Sequence, residues 1–199
     1  MEIIDNVLPI NYLKDVQSGF NPDYFPWYFI EEITHASGSD VTPYKNSRTS
    51  TGFVHMILDN LGDNRSGYVN LFKPICYFIA DKAGIEFTRI IRMRTAMLLP
   101  QRNYTKNNFN GAHIDHPDMS NFVNALFYVN DSDGDTFIFN ESHNDGVPKK
   151  LTIKERVTPK ENRVAIFDGW QYHASSSPIH SDKRIVINIT LETRDQTWQ

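Results

Sequence analysis

The chain has 199 residues, of which 40% are hydrophobic, 13% aromatic and 22% charged, with a formal net charge of -4. That balance is ordinary for a globular protein with a real core, and the negative charge argues against a large nucleic-acid-binding surface. One cysteine, Cys76, excludes an internal disulfide, and no run reaches the roughly 18 apolar residues of a membrane-spanning helix.

The N-terminus, "MEIIDNVLPINYL", lacks a basic segment followed by a long apolar one, so it does not read as a signal peptide. A soluble, cytoplasmic protein is the expectation. The first 35 residues mix short helical patterns with aromatics. From Ser37 to Ser50 the chain turns polar, "SGSDVTPYKNSRTS", which reads as a loop or a mobile flap. Between Tyr68 and Ala83, Leu71, Ile75, Phe78 and Ile79 recur at helical spacing, as do Phe72, Cys76 and Ala83, and Gly84 is a natural stop. The spacing predicts a helix whose apolar surface packs on a sheet, with Cys76 as a buried core thiol.

After Gly84 the pattern changes to strands. "EFTRIIRMRTAMLL" is a long β-rich run, and "NFVNALFYVN" is a second. "DSDGD" then reads as the turn of a hairpin into "TFIFNE", and "NRVAIFDG" and "KRIVINITLE" are two more strands. Short strands with turn signals after helices predict a mainly β protein, a jelly roll with N-terminal helices packed on one sheet. The expected organisation is one domain over 1–199, with a helical and irregular region over 1–84 and a jelly-roll core over 85–199.

Parity along two strands separates their faces. Ile185, Ile187, Ile189 and Leu191 share one face, with Arg184, Val186, Asn188 and Thr190 on the other. Val123, Ala125, Phe127 and Val129 likewise oppose Asn124, Leu126 and Tyr128. The apolar faces suit a covering layer. The mixed faces suit either a polar pocket or water.

The stretch "GAHIDHPDMS" carries two overlapping His-x-Asp patterns. On an extended chain His113 and Asp115 point to the same side, so one metal ion can take both. Pro117 favours a turn and makes His116 and Asp118 the poorer pair. Two ligands need a third, distant in sequence. Of the other histidines, only His173 lies between two predicted strands in a run, "FDGWQYHASSSP", that is neither charged nor low in aromatics.

These motifs together resemble the iron(II)- and 2-oxoglutarate-dependent oxygenases, and within them the prolyl-hydroxylase-like branch, including its small microbial and viral members. "HIDHP", then "LFYVNDSDGDTFIF", then "PKENRVAIFDGWQYHASSSP" leading to His173, then "KRIVINITL" opening on Arg184, follow that branch in order and spacing over about residues 90–192. The resemblance implies a double-stranded β-helix and a facial triad of His113, Asp115 and His173 holding Fe(II). It implies 2-oxoglutarate as co-substrate, O2 as oxidant, and succinate and CO2 as products. It implies that Arg184 meets the far carboxylate of 2-oxoglutarate; Lys183, on the apolar-face parity, is the competitor. Tyr128, Thr136 and, more loosely, Tyr104 match positions that add a hydroxyl there.

Two rival readings remain open from residues alone. One is a zinc- or manganese-using cupin-like isomerase, with His116 as an extra ligand. The other is a carbohydrate- or ligand-binding jelly roll without turnover. Arg184 discriminates, because it has a purpose only if a dicarboxylate is bound. Arg89, Arg92 and Arg94 lie near the pocket by order and are free to face either it or solvent. Upstream of residue 90 nothing matches a recognition module, so the substrate reads only as a small molecule or peptide.

Overall fold

The computed structural model describes residues 1–34, 44, 46–143, 146 and 148–194. Strands β1 (Glu2–Ile4), β2 (Tyr28–Ile30), β3 (Gly52–Leu58), β4 (Phe87–Leu98), β5 (Phe122–Tyr128), β6 (Thr136–Ser142), β7 (Ile153–Val157), β8 (Arg163–Asp168), β9 (Gln171–Ser175) and β10 (Arg184–Thr193) alternate early with helices α1 (Ile10–Gly19), α2 (Val69–Phe72) and α3 (Ile75–Ala83). A seven-stranded sheet runs β1-β8-β5-β10-β4-β3-β2, and a three-stranded sheet runs β7-β6-β9. Every strand pair is antiparallel. The architecture is the expected jelly roll.

The two parities of β5 and β10 find different neighbours. Their apolar side chains form one cluster with Leu13 and Val16 of α1, Phe72 of α2, and Ile75, Cys76, Ile79 and Ala80 of α3. The helices therefore cover the outer face of the large sheet. The mixed parity faces inward. There Leu126, Tyr128 and Val186 pack with Ala165 and Phe167 of β8, and with Ile138 and Val157 of the small sheet. Its polar members are buried too: Arg184 is 2% exposed and Asn188 7%. That settles pocket against water, because buried polar groups must find partners or ligands.

The expected single helix over Tyr68–Ala83 is two. Pro74 has no N–H to give, so the chain makes a tighter turn there, with Cys76 N–H donating to Lys73 O and Tyr77 N–H to Pro74 O, before α3 begins. Gly84 ends α3 in the left-handed region, at φ 65. No helix among the described residues is long and apolar enough to cross a membrane.

The expected hairpin at "DSDGD" is not one. β5 belongs to the large sheet and β6 to the small one. The segment is instead a crossing between sheets, anchored on the chain that leads into β10. Asp133 accepts backbone N–H groups from Ile179, His180 and Ser181 at 2.9–3.1 Å. Gly134 lies so close that a Cβ there would sit 2.6 Å from Ser176 O. Burial works against the Asp133 charge, but those N–H groups outweigh it and hold the carboxyl down at about 2.

Most of the polar stretch Ser37–Ser50 lies outside the described residues. Its described end joins the small-sheet side: Arg48 N–H donates to Phe109 O, and Ser50 Oγ donates to Asn110 Oδ1.

Candidate metal centre and anion pocket

His173 is on a strand rather than between two. On β9 it lies opposite Ile138 of β6, and Ser175 lies opposite Thr136, all four facing the interior. The free edge of β9 captures the His-x-Asp segment. His113 N–H donates to His173 O at 3.0 Å, and His173 N–H donates to His113 O at 3.1 Å. Directly opposed residues on an antiparallel pair project to the same side, and the two imidazoles are 4.5 Å apart between centroids. Asp115, two residues on, projects with them, as strand parity requires.

The three side chains form a compact donor set. Asp115 Oδ1 lies 3.7 Å from His113 Nε2, and Asp115 Oδ2 lies 3.6 Å from His173 Nε2. One ligand atom from each falls within 4.8 Å of the others. With metal–nitrogen bonds of about 2.0–2.1 Å, adjacent donors sit roughly 3 Å apart, so each Asp115–imidazole gap would close by roughly 0.6–0.7 Å around an ion. Each imidazole is oriented from behind: His113 Nδ1 lies 3.0 Å from Gly111 O, and His173 Nδ1 lies 3.2 Å from Gln171 O. A carbonyl at Nδ1 selects the Nδ1–H tautomer and turns the Nε2 lone pair toward Asp115. Burial and the neighbouring His173 hold His113 below its usual pKa, which keeps it neutral and able to ligate.

Asp115 is gripped by two groups that sequence reading did not assign. Arg92 Nη2 donates to Oδ1 at 2.5 Å and Asn188 Nδ2 donates to Oδ2 at 3.2 Å. Burial alone would raise this carboxyl, whose side chain is 3% exposed. The Arg92 guanidinium and the two imidazoles outweigh that and hold it well below the usual carboxylate range. Asp118 is exposed and stands apart from this cluster.

The three β4 arginines divide. Arg92 and Arg94 point inward, opposite Thr190 and Asn188 of β10. A bulge in β4 then separates Arg89, which ends opposite Glu192, 3.4 Å from its carboxylate and about half exposed. Register with β10 and the bulge made that division, and the spacing of the arginines alone does not reveal it.

Arg184 and Thr136 line one cavity with His113, His173, Ser175, Asn188 and Arg94, backed by Ala96, Leu98, Leu126 and Val186. Arg184 donates from Nε to Gly134 O and from Nη2 to Thr136 Oγ1, both at 2.9 Å. Both acceptors are neutral and Arg184 makes no ion pair among the described residues; Asp135, the acid that acts on it, is itself paired with Arg156. Lys183 is exposed. Tyr128 stands behind Thr136, its hydroxyl donating to Thr136 Oγ1 at 2.8 Å. Thr136 thus accepts from two donors, which leaves its own proton for something in the cavity. Tyr104 is committed elsewhere: its hydroxyl donates to Asn110 Oδ1 at 2.7 Å, and Asn110 donates to Ser175 Oγ. A second, outer cavity of about 210 Å³ is lined by Glu32, Ser47, Arg48, Thr49 and Ser50, and shares Ile33, Thr34 and His113 with the first.

No family model and no curated protein matches the chain. Solved structures do. A prolyl-4-hydroxylase from Pseudomonas putida is 14% identical, with 98% of this chain and 92% of that one covered at a TM-score of 0.54. An oxidoreductase of the 2OG-Fe(II) oxygenase family from Burkholderia pseudomallei is 13% identical, with 92% and 78% covered at 0.60. The non-haem α-ketoglutarate-dependent carbocyclase SnoK, from nogalamycin biosynthesis, is 12% identical, with 97% and 79% covered at 0.64. At such identities the likeness is one of fold: this chain has the jelly roll on which those proteins are built.

Proposed function

We propose that the chain is an Fe(II)- and 2-oxoglutarate-dependent oxygenase that hydroxylates a small molecule or peptide, releasing succinate and CO2. The observation that supports it most is that two members of the triad, His113 and His173, line one cavity with the buried cation of Arg184, which makes no ion pair among the described residues. Two imidazoles and one carboxylate on one side of an ion leave coordination positions open, a donor set suited to non-haem iron. When bound, the iron supplies dioxygen activation coupled to oxidative decarboxylation of the 2-oxo acid.

The chain's own residues do the rest. Arg184, with the free Thr136 proton, holds the far carboxylate in two-pronged geometry. Arg92 and Asn188 fix Asp115. The wall of Ala96, Leu98, Leu126 and Val186 keeps water from the reacting centre. The outer cavity, lined by Ser47, Arg48, Thr49 and Ser50 at the described end of the polar stretch, offers the primary substrate a route to His113's side of the site. Neighbours on this fold include an epimerase and a carbocyclase as well as a hydroxylase, so the fold supports more than one outcome.

A cupin-like isomerase fits less well. His116 does not join the metal-binding group found among the described residues, and the isomerase leaves Arg184 without a role. Metal binding tests the triad. Mn(II) at about 100 times its Kd should stabilise the parent by about 2.7 kcal/mol. Asp118→Ala should keep that thermal shift and Asp115→Ala should lose it. If Asp118→Ala is the variant that loses it, the second His-x-Asp pair holds the metal.

A further inference from the structure

Arg94 is a second cation in the cavity, and nothing described so far uses it. It lies on β4 directly opposite Asn188, whose amide touches Asp115, so it sits at the level of the metal site. It lines the cavity, and its Nε is buried without a hydrogen-bond partner. Asn188 Oδ1, on the same cavity, is also buried without a partner. Burial and the nearby Arg92 guanidinium pull the Arg94 pKa down to about 10, so the side chain still carries its charge near neutrality. A desolvated cation with an unmet donor is costly to keep unless a ligand completes it.

The group Arg94 meets is not the carboxylate assigned to Arg184. Four residues of β10 separate the two levels, roughly 13 Å along the strand. Arg184 is pinned in place by Gly134 and Thr136, so it cannot swing toward Arg94 to share one carboxylate. Charge points the same way. Arg92, Arg94 and Arg184 bring three positive charges to the interior against one negative from Asp115; Asp135, which also acts on Arg184, is cancelled by its partner Arg156, and Glu32 lines only the outer cavity. On the oxygenase reading, a divalent metal and a dianionic co-substrate cancel, and the positive excess remains.

We propose that Arg94 anchors an anionic group of the primary substrate, so that the enzyme acts on a carboxylic acid or an acid of similar charge and geometry. The inference rests on the oxygenase reading for the word substrate, and on Arg94, its unmet Nε donor and the charge excess for the word anionic.

The test uses matched acid and amide probes: acetate with acetamide, and benzoate with benzamide. They are titrated into protein holding Mn(II) and saturating 2-oxoglutarate, and the Mn(II)-induced relaxation of probe protons is read. The parent should prefer each acid over its amide by at least about tenfold. Arg94→Gln should lose that preference, Arg94→Lys should keep part of it, and 2-oxoglutarate affinity should stay within about threefold in both. No acid preference in the parent, or the same preference in Arg94→Gln, overturns the proposal. So does a large fall in 2-oxoglutarate affinity in Arg94→Gln, which would give the arginine to the co-substrate. Calorimetric titration of the same probes into metal-free protein separates the two readings. Acid preference without metal or 2-oxoglutarate binding defeats the oxygenase reading alone; normal metal and 2-oxoglutarate binding without acid preference defeats only the role of Arg94.

Discussion

Replacing Arg184 by methionine removes a charge while keeping most of the side chain's bulk. The guanidinium is 2% exposed and gives its hydrogen bonds to neutral Gly134 O and Thr136 Oγ1. A carboxylate bound there would therefore face its one close counter-charge in a largely water-free site. Truncating one member of such a pair costs about 2–5 kcal/mol, much of it from the charge left unpaired. That is roughly 30-fold to several thousand-fold in affinity, since about 1.4 kcal/mol is tenfold. The Gly134 carbonyl also loses a donor, so stability should fall by about 1–3 kcal/mol. The assay is anaerobic titration of 2-oxoglutarate into the iron(II) protein, followed by the visible charge-transfer band. Iron binding should stay nearly intact in Arg184→Met. Arg184→Lys should recover part of the loss, since the charge survives without the fork. The exposed Lys183, replaced by alanine, should change little. A folded Arg184→Met protein that binds 2-oxoglutarate within about threefold of the parent would refute the reasoning, because the co-substrate would then be held elsewhere.

Gly134→Ala places a Cβ 2.6 Å from Ser176 O and 3.1 Å from Arg184 Cδ; it should cost roughly 1–3 kcal/mol and weaken 2-oxoglutarate binding, and an unchanged melting curve would count against the close approach. Asp133, held down at about 2 against an ordinary 3.8, contributes stability that is full above the unfolded pKa and is lost as pH falls toward 2. Asp133→Asn should therefore melt earlier than the parent at pH 6, by on the order of 2 kcal/mol, and the gap should narrow steadily between pH 4 and 2. Cys76 is fully buried, and burial pushes its thiol pKa up, so a thiol reagent should label it only as fast as the protein unfolds; rapid labelling of native protein would contradict its place on the buried face of α3.

Several features were legible from residues alone, and each rests on local periodicity. β4, β5 and β10 follow from β-rich runs, and α3 with its Gly84 stop follows from helical spacing. The two-residue repeat put His113 beside Asp115, and Arg184 on the same side as Asn188, before any partner was known. Periodicity says which side chains share a face. It does not say what that face meets. The inner parity of β10 is a pocket because a second sheet closes over it, and the outer parity is core because the helices lie there. Short strands such as β1, β2 and β7 carry three to five residues, too few for a repeat to register, and exist through the neighbours they pair with. The segment "DSDGD" has the residues of a hairpin turn, yet Asp133 binds three amides some 46–48 residues away and sends the chain to the other sheet. Likewise, His173 reaches His113 only through a backbone bridge between distant segments, and Arg92 reaches Asp115 only through the register of β4 against β10. The sequence determined the chemistry available on each strand, because side-chain direction is a local property of the backbone. The tertiary structure decided which of those groups meet, because strand pairing is non-local and its register is set by the packing of both faces together.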